Sequence, residues 1–145
     1  MKITSTNLQK KNLNQKLVKR QARRILRHKN ISSGELSIVF VSDPLIKKLN
    51  KQFLGKNVPT DVLAFDLSKT KFPSSQKQIF GEIIISTDTS QRNSRIFKTS
   101  FNYELTLYLV HGILHLLGFD DTSKHKTRLM RQKEIELMEF LKFKK

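Results

Sequence analysis

The run His111-Gly112-Ile113-Leu114-His115-Leu116-Leu117-Gly118-Phe119-Asp120-Asp121 decides how the rest of the chain is read. It closes an apolar stretch, Leu105-Thr106-Leu107-Tyr108-Leu109-Val110. Leu105, Leu109, Ile113 and Leu116 keep a helical beat through both. Gly118 is placed to end that helix, because glycine enters the left-handed conformation without a Cβ clash. His111 and His115 lie one turn apart, so both rings leave the same face and can converge on one point. The chain then turns at Gly118 and brings Asp120 and Asp121 back past the helix end. His111, His115 and Asp121 thus form a three-ligand set. Three protein ligands with the fourth position left to water is the catalytic arrangement of zinc, whereas structural zinc sites are closed by four. The competing reading is a pair of core histidines, each hydrogen-bonded to a neighbour. The i, i+4 spacing followed by a loop carboxylate favours the metal.

The chain has 145 residues, which predicts one domain, 1–145, able to bury its own core. Its lack of cysteine excludes disulfides, thiolate ligands and a cysteine nucleophile. No stretch approaches the roughly 20 apolar residues of a membrane span, and no signal peptide opens the chain. A soluble, cytoplasmic protein with no membrane partner is expected. The net charge is +16, and residues 1–30 carry ten Lys or Arg with no Asp or Glu. A charge this large promotes encounter with polyanions, and nucleic acid is the obvious one. No sequence specificity is implied by it; a generally basic proteome would be the bland explanation.

Residues 1–6 and 35–41 read as strands, with an amphipathic helix over 12–28 between them. Val18, Ala22, Ile25 and Leu26 form its apolar side; Lys16, Lys19, Arg20, Arg23, Arg24 and Arg27 form the other. That basic side is either a solvated face or a phosphate-facing surface. Asp43 as N-cap and Pro44 at the first helical position predict a helix ending near Gly55. Pro59-Thr60-Asp61 turns the chain into a strand, 62–66. Residues 68–77 are polar and predict a surface loop. The continuous isoleucines of Ile79-Phe80-Gly81-Glu82-Ile83-Ile84-Ile85-Ser86 predict a central strand buried on both faces. A short helix over 87–96 follows, capped by Ser86 or Asp88. After the histidine helix, about 101–117, Thr122 or Ser123 caps a last helix with a stripe of Leu129, Met130, Leu137, Met138 and Leu141. The predicted class is α/β (α+β): a mixed sheet of about four strands packed with about five helices.

A metal at His111, His115 and Asp121 would acidify bound water and polarise a carbonyl or phosphoryl oxygen. The metallopeptidase pattern H-E-x-x-H has its general base directly after the first His. Here that residue is Gly112, which cannot take a proton and would leave room beside the metal. Together with the charge, this favours phosphodiester cleavage over peptide hydrolysis. Asp120 could hydrogen-bond a ligand histidine from outside, or cap the last helix. His125 is a rival ligand; an exposed histidine is its blander reading. Glu82, Asp61, Asp66 and Glu104 are candidate general bases, although Thr60 and Asp61 also suit a turn that bonds its own backbone.

With these residues laid out, the chain resembles the YbeY-type endoribonucleases over nearly its full length. His111–Asp120 fits the family's H-G-x-L-H-L-x-G-Y/F-D-H signature. Pro59–Phe65 fits its T-D-V-L-S-F block, Gly81–Ser86 its G-D-I-x-I strand, and Met130 with Glu134 the M-x-x-x-E of its last helix. The resemblance implies a zincin-like α/β domain holding one Zn2+ at His111, His115 and residue 121. It also implies hydrolysis of single-stranded RNA, in maturation of the 3′ end of small-subunit ribosomal RNA and in ribosome quality control. The chain departs from the pattern at two places. Asp121 stands where the signature has a third His, which keeps an oxygen ligand but changes the charge of the site. Leu54 stands where the family has an Arg expected to hold phosphate or developing negative charge; Lys51 or Lys56 could substitute. The alternative from another class is a non-catalytic RNA- or ribosome-binding factor with a structural metal.

Overall fold

The computed structural model describes residues 1–68 and 78–143, so the polar stretch expected as a loop lies, apart from Ser68, outside the described residues. Nine elements follow one another: β1 (Lys2–Asn7), α1 (Gln15–His28), β2 (Ser33–Val41), α2 (Asp43–Leu54), β3 (Val62–Asp66), β4 (Gln78–Ser86), α3 (Thr87–Ile96), α4 (Phe101–Leu116) and α5 (Lys124–Leu141). The sheet order is β1-β2-β4-β3. β1, β2 and β4 run parallel, and β3 is antiparallel to β4. This is the mixed four-stranded α/β arrangement that the alternation of strands and helices predicts.

The strand sequences set which helix covers which face. Successive strand residues point to opposite sides. In β2, Leu36, Ile38 and Phe40 enter the larger core with α1, α4 and α5, while Val39 and Val41 pack with Ile46 of α2. In β4, Ile83 and Ile85 face the larger core and Ile84 the smaller one. The isoleucine run is therefore buried on both faces, as expected of a central strand. Each such side chain withdrawn from water contributes about 1.5–3 kcal/mol before entropy is counted. α1 begins at Gln15 rather than residue 12, because the Asn14 side chain accepts the Leu17 N–H at 3.0 Å and caps it there. Among the described residues no helix is long and apolar enough to cross a membrane.

Asp43 does not cap α2. Ser42 is the N-cap residue, Asp43 lies in the first turn, and its carboxylate reaches across to α3 instead. It accepts hydrogen bonds from the Ser86 hydroxyl at 2.6 Å, the Thr89 hydroxyl at 2.8 Å and the Arg92 guanidinium at 3.0 Å. In return, the Asp88 carboxylate accepts the Asp43 N–H at 2.8 Å. Each helix start thus sees a carboxylate where its unpaired N–H groups favour negative charge. Burial pushes the Asp43 carboxyl pKa up, but its three donors outweigh that and hold it below the ordinary value. A depressed carboxyl stabilises the fold above its unfolded pKa of about 3.9, and the gain is lost as pH falls through the folded value. Asp43→Asn should therefore cost about 1–3 kcal/mol at neutral pH. In urea unfolding, the gap from the native chain should close once pH drops below the carboxyl's folded pKa.

Candidate metal centre

α4 comes unusually near β4. A Cβ on Gly112 would meet Ile83 Cγ2 at 2.8 Å, and one on Gly81 would meet Leu116 Cδ1 at 2.6 Å. Each element thus presents a glycine to a branched side chain of the other. The space left by Gly112 is filled by Ile83 and does not open beside the histidines, which corrects the expectation from sequence. This seating fixes α4 in height and rotation. It leaves His111 and His115 half-buried.

Gly118, at φ +97°, then ends the helix in the left-handed conformation and redirects the chain. The Leu117 and Gly118 N–H groups return to the carbonyls of Ile113 and His115, each at 3.0 Å. Beyond the turn, Asp121 is exposed, and one donor atom from each of His111, His115 and Asp121 lies within 4.8 Å of the others. The two Nε2 atoms are 2.9 Å apart. His111 Nδ1 meets Glu134 Oε1 of α5 at 2.5 Å. That carboxylate takes Nδ1–H, fixes the ring, and leaves Nε2 as the atom facing His115. Burial disfavours charge on His111, yet Glu134 overrides it and raises its pKa. Burial, then the positive charge of His111, push His115 below its ordinary value. Two imidazole nitrogens and a carboxylate oxygen are the donor set of a borderline divalent cation such as zinc.

The profile of the family described as "Endoribonuclease YbeY" matches residues 2–142. The chain belongs to the YbeY family. The Endoribonuclease YbeY of Syntrophus aciditrophicus is 34% identical over 140 residues, which cover 94% of this chain and 88% of that one. That of Persephonella marina is 33% identical, covering 94% and 90%. The solution structure of the Thermotoga maritima protein TM1509 superposes with a TM-score of 0.60 at 28% identity, over 97% of this chain and 91% of that one.

Against the YbeY pattern, the structure separates the remaining candidates. Asp120 is not bonded to a histidine: its carboxylate accepts the Thr122 N–H at 3.1 Å and hydroxyl at 2.8 Å, holding the turn before α5. The N-cap of α5 is Ser123, one of the two residues expected there. His125 is exposed and stands outside the three-residue group. Glu82 alternates with Ile83 and Ile85 and so points to the sheet face opposite α4. Asp66 accepts the Ser68 N–H at 2.9 Å, and Glu104 is 2% exposed. Asp61 does bond its own backbone, accepting the Val62 N–H at 2.8 Å, and its negative charge also acts on His111. Leu54 ends α2, the helix on the opposite face, and is 57% exposed. Sequence reasoning gave Glu134 no role, although it shares a face with Met130, Leu137 and Leu141 at helical spacing. Glu134→Gln should weaken binding of a divalent cation by about 10- to 100-fold in calorimetric titration, with the helical signal unchanged. Unaltered affinity would remove its orienting role.

Proposed function

We propose that the chain is a metal-dependent endoribonuclease, a cytoplasmic hydrolase of single-stranded RNA formed by one domain over 1–145. We place it in maturation of the 3′ end of small-subunit ribosomal RNA and in ribosome quality control, with the ribosome as its setting. The observation that carries this reading is the meeting of His111, His115 and Asp121 at the open end of a buried helix, in a chain of net charge +16. His111 and His115 supply ligand nitrogens and Asp121 supplies an oxygen. Zinc is the ion we assign, one per chain. When bound, a divalent cation supplies Lewis acidity toward water and toward a phosphoryl oxygen.

The protein's own groups do the rest. Glu134 keeps the His111 ring in one orientation. Of the candidate bases we assign proton removal to Asp61, just before β3, since Glu82 points to the other face of the sheet. The exposed position of Asp121 keeps the centre open to a polymer. The general positive charge raises the encounter rate with RNA. Peptide hydrolysis is disfavoured: Gly112 supplies no base, and its missing side chain faces Ile83.

His115→Ala should abolish cleavage of a single-stranded RNA, a loss larger than the roughly 100-fold expected of an outer residue. His125→Ala should cleave like the native chain. Cleavage surviving His115→Ala would contradict the ligand assignment. Asp121 also lowers the charge of the loaded site by one unit relative to a neutral ligand. It should therefore favour Mn2+ or Fe2+ over Zn2+ more than a histidine would. Competitive metal titration of Asp121→His should show a higher preference for Zn2+ over Mn2+; an unchanged ratio would sink the charge argument.

A further inference from the structure

The cations of α1 are arranged differently from those elsewhere in the protein. The helix carries six Lys or Arg and no acidic residue. Arg24 is engaged within the fold. It donates to Gln21 Oε1 at 2.9 Å and to the Leu141 carbonyl at 3.3 Å, and lies 5.4 Å from the Phe140 ring centroid. The other five have no ion pair among the described residues. Lys16, Arg20, Arg23 and Arg27 are exposed, with Lys19 half-buried beside them. Positions 16, 20, 23 and 27 fall on one helical stripe, about 16 Å long at 1.5 Å per residue. α5 provides the comparison. It carries Lys and Arg together with Glu134, Glu136 and Glu139, and Lys133 pairs with Glu136 at 3.3 Å. A merely basic composition would give α1 the same mixture.

Like charges one turn apart destabilise a helix, and among the described residues no carboxylate pairs with Lys16, Arg20, Arg23 or Arg27. A polyanion would offset that repulsion. At the C-terminal end of the stripe, Arg23 and Arg27 flank a recess of about 450 Å³ that also exposes Asn30 and Ser32. Two guanidinium forks, an amide and a hydroxyl are a donor set for phosphate oxygens. This end of α1 packs against the end of α5 through Arg24 and His28, and α5 in turn brings Phe143 beside Tyr103 at the start of α4. The recess and the metal centre share no residue.

We propose that the outer face of α1, with the Arg23–Arg27 recess, is a docking surface for the RNA sugar–phosphate backbone, separate from the metal centre. It rests on the reading of RNA as substrate. Contacts of this kind carry no base specificity, so the surface holds RNA without reading its sequence.

The test measures binding of a labelled single-stranded RNA of about 30 nucleotides by fluorescence anisotropy, between about 50 and 200 mM salt. The native chain is compared with a variant carrying Lys16→Gln, Arg20→Gln, Arg23→Gln and Arg27→Gln. Glutamine preserves helix propensity, and thermal unfolding checks the fold. A control carrying Lys47→Gln, Lys48→Gln, Arg128→Gln and Arg131→Gln loses the same charge elsewhere. The α1 variant should lose about tenfold or more in affinity, and its plot of log affinity against log salt should be shallower by about 2 to 3. The control should stay near native. An α1 variant that binds like the native chain, or no worse than the control, overturns the proposal. RNA binding through α1 without metal-dependent cleavage would uphold it and remove the nuclease reading. Cleavage with unaltered binding by the α1 variant would do the reverse.

Discussion

The close approach of α4 to β4 is the constraint on which the rest depends. Gly112 admits Ile83, and Gly81 admits Leu116. A side chain at either glycine would need the helix or the strand to shift. The histidines stand on the same helix beside this contact, so their position is set by packing. A close-packed core has few alternative arrangements, which gives a short helix the rigidity a metal site requires. The same contact explains the composition of β4: isoleucine fills both faces, and glycine appears where the helix end descends.

A second line of support runs through the outer helices. Arg24 of α1 donates to the last carbonyls of α5 and lies against Phe140. α5 buries Met130, Leu137 and Leu141, and from the same stripe sends Glu134 to His111. α1 therefore has an inner face that steadies the helix orienting a site histidine and an outer face bearing cations that are unpaired among the described residues. The carboxylates fall into a complementary pattern. Asp43 and Asp88 tie the starts of α2 and α3, Glu134 serves His111, and Asp120 fixes the turn before α5. Several of the few acidic residues thus hold the fold together, while much of the positive excess faces outward.

The sequence made most of the architecture legible because period and punctuation agreed. The isoleucine run predicted a central strand, and the beat from Leu105 to Leu116 predicted the histidine helix. His111, His115 and Asp121 were visible as a group because helix spacing and one glycine turn are local facts. What escaped was non-local. Ser42 and Asp43 are both good caps, and only the partners Ser86, Thr89 and Arg92 show why Asp43 lies one place further in. Gly112 could have faced either way until Ile83 was seen against it. Glu134 is 23 residues from His111. In the sequence it stood out only as the end of the M-x-x-x-E motif and as a carboxylate in an otherwise apolar stripe, neither of which says what it touches.

In the proposed function, one divalent cation at His111, His115 and Asp121 is what makes the chain a nuclease. Stripping the protein of metal and returning Zn2+ in steps, with bound metal and RNA cleavage read on the same sample, tests this. Cleavage should be absent without metal, then rise in proportion to bound ion and reach its plateau at one per chain. Cleavage by the stripped protein, or a fully loaded site with no cleavage of single-stranded or ribosomal precursor RNA, would contradict it.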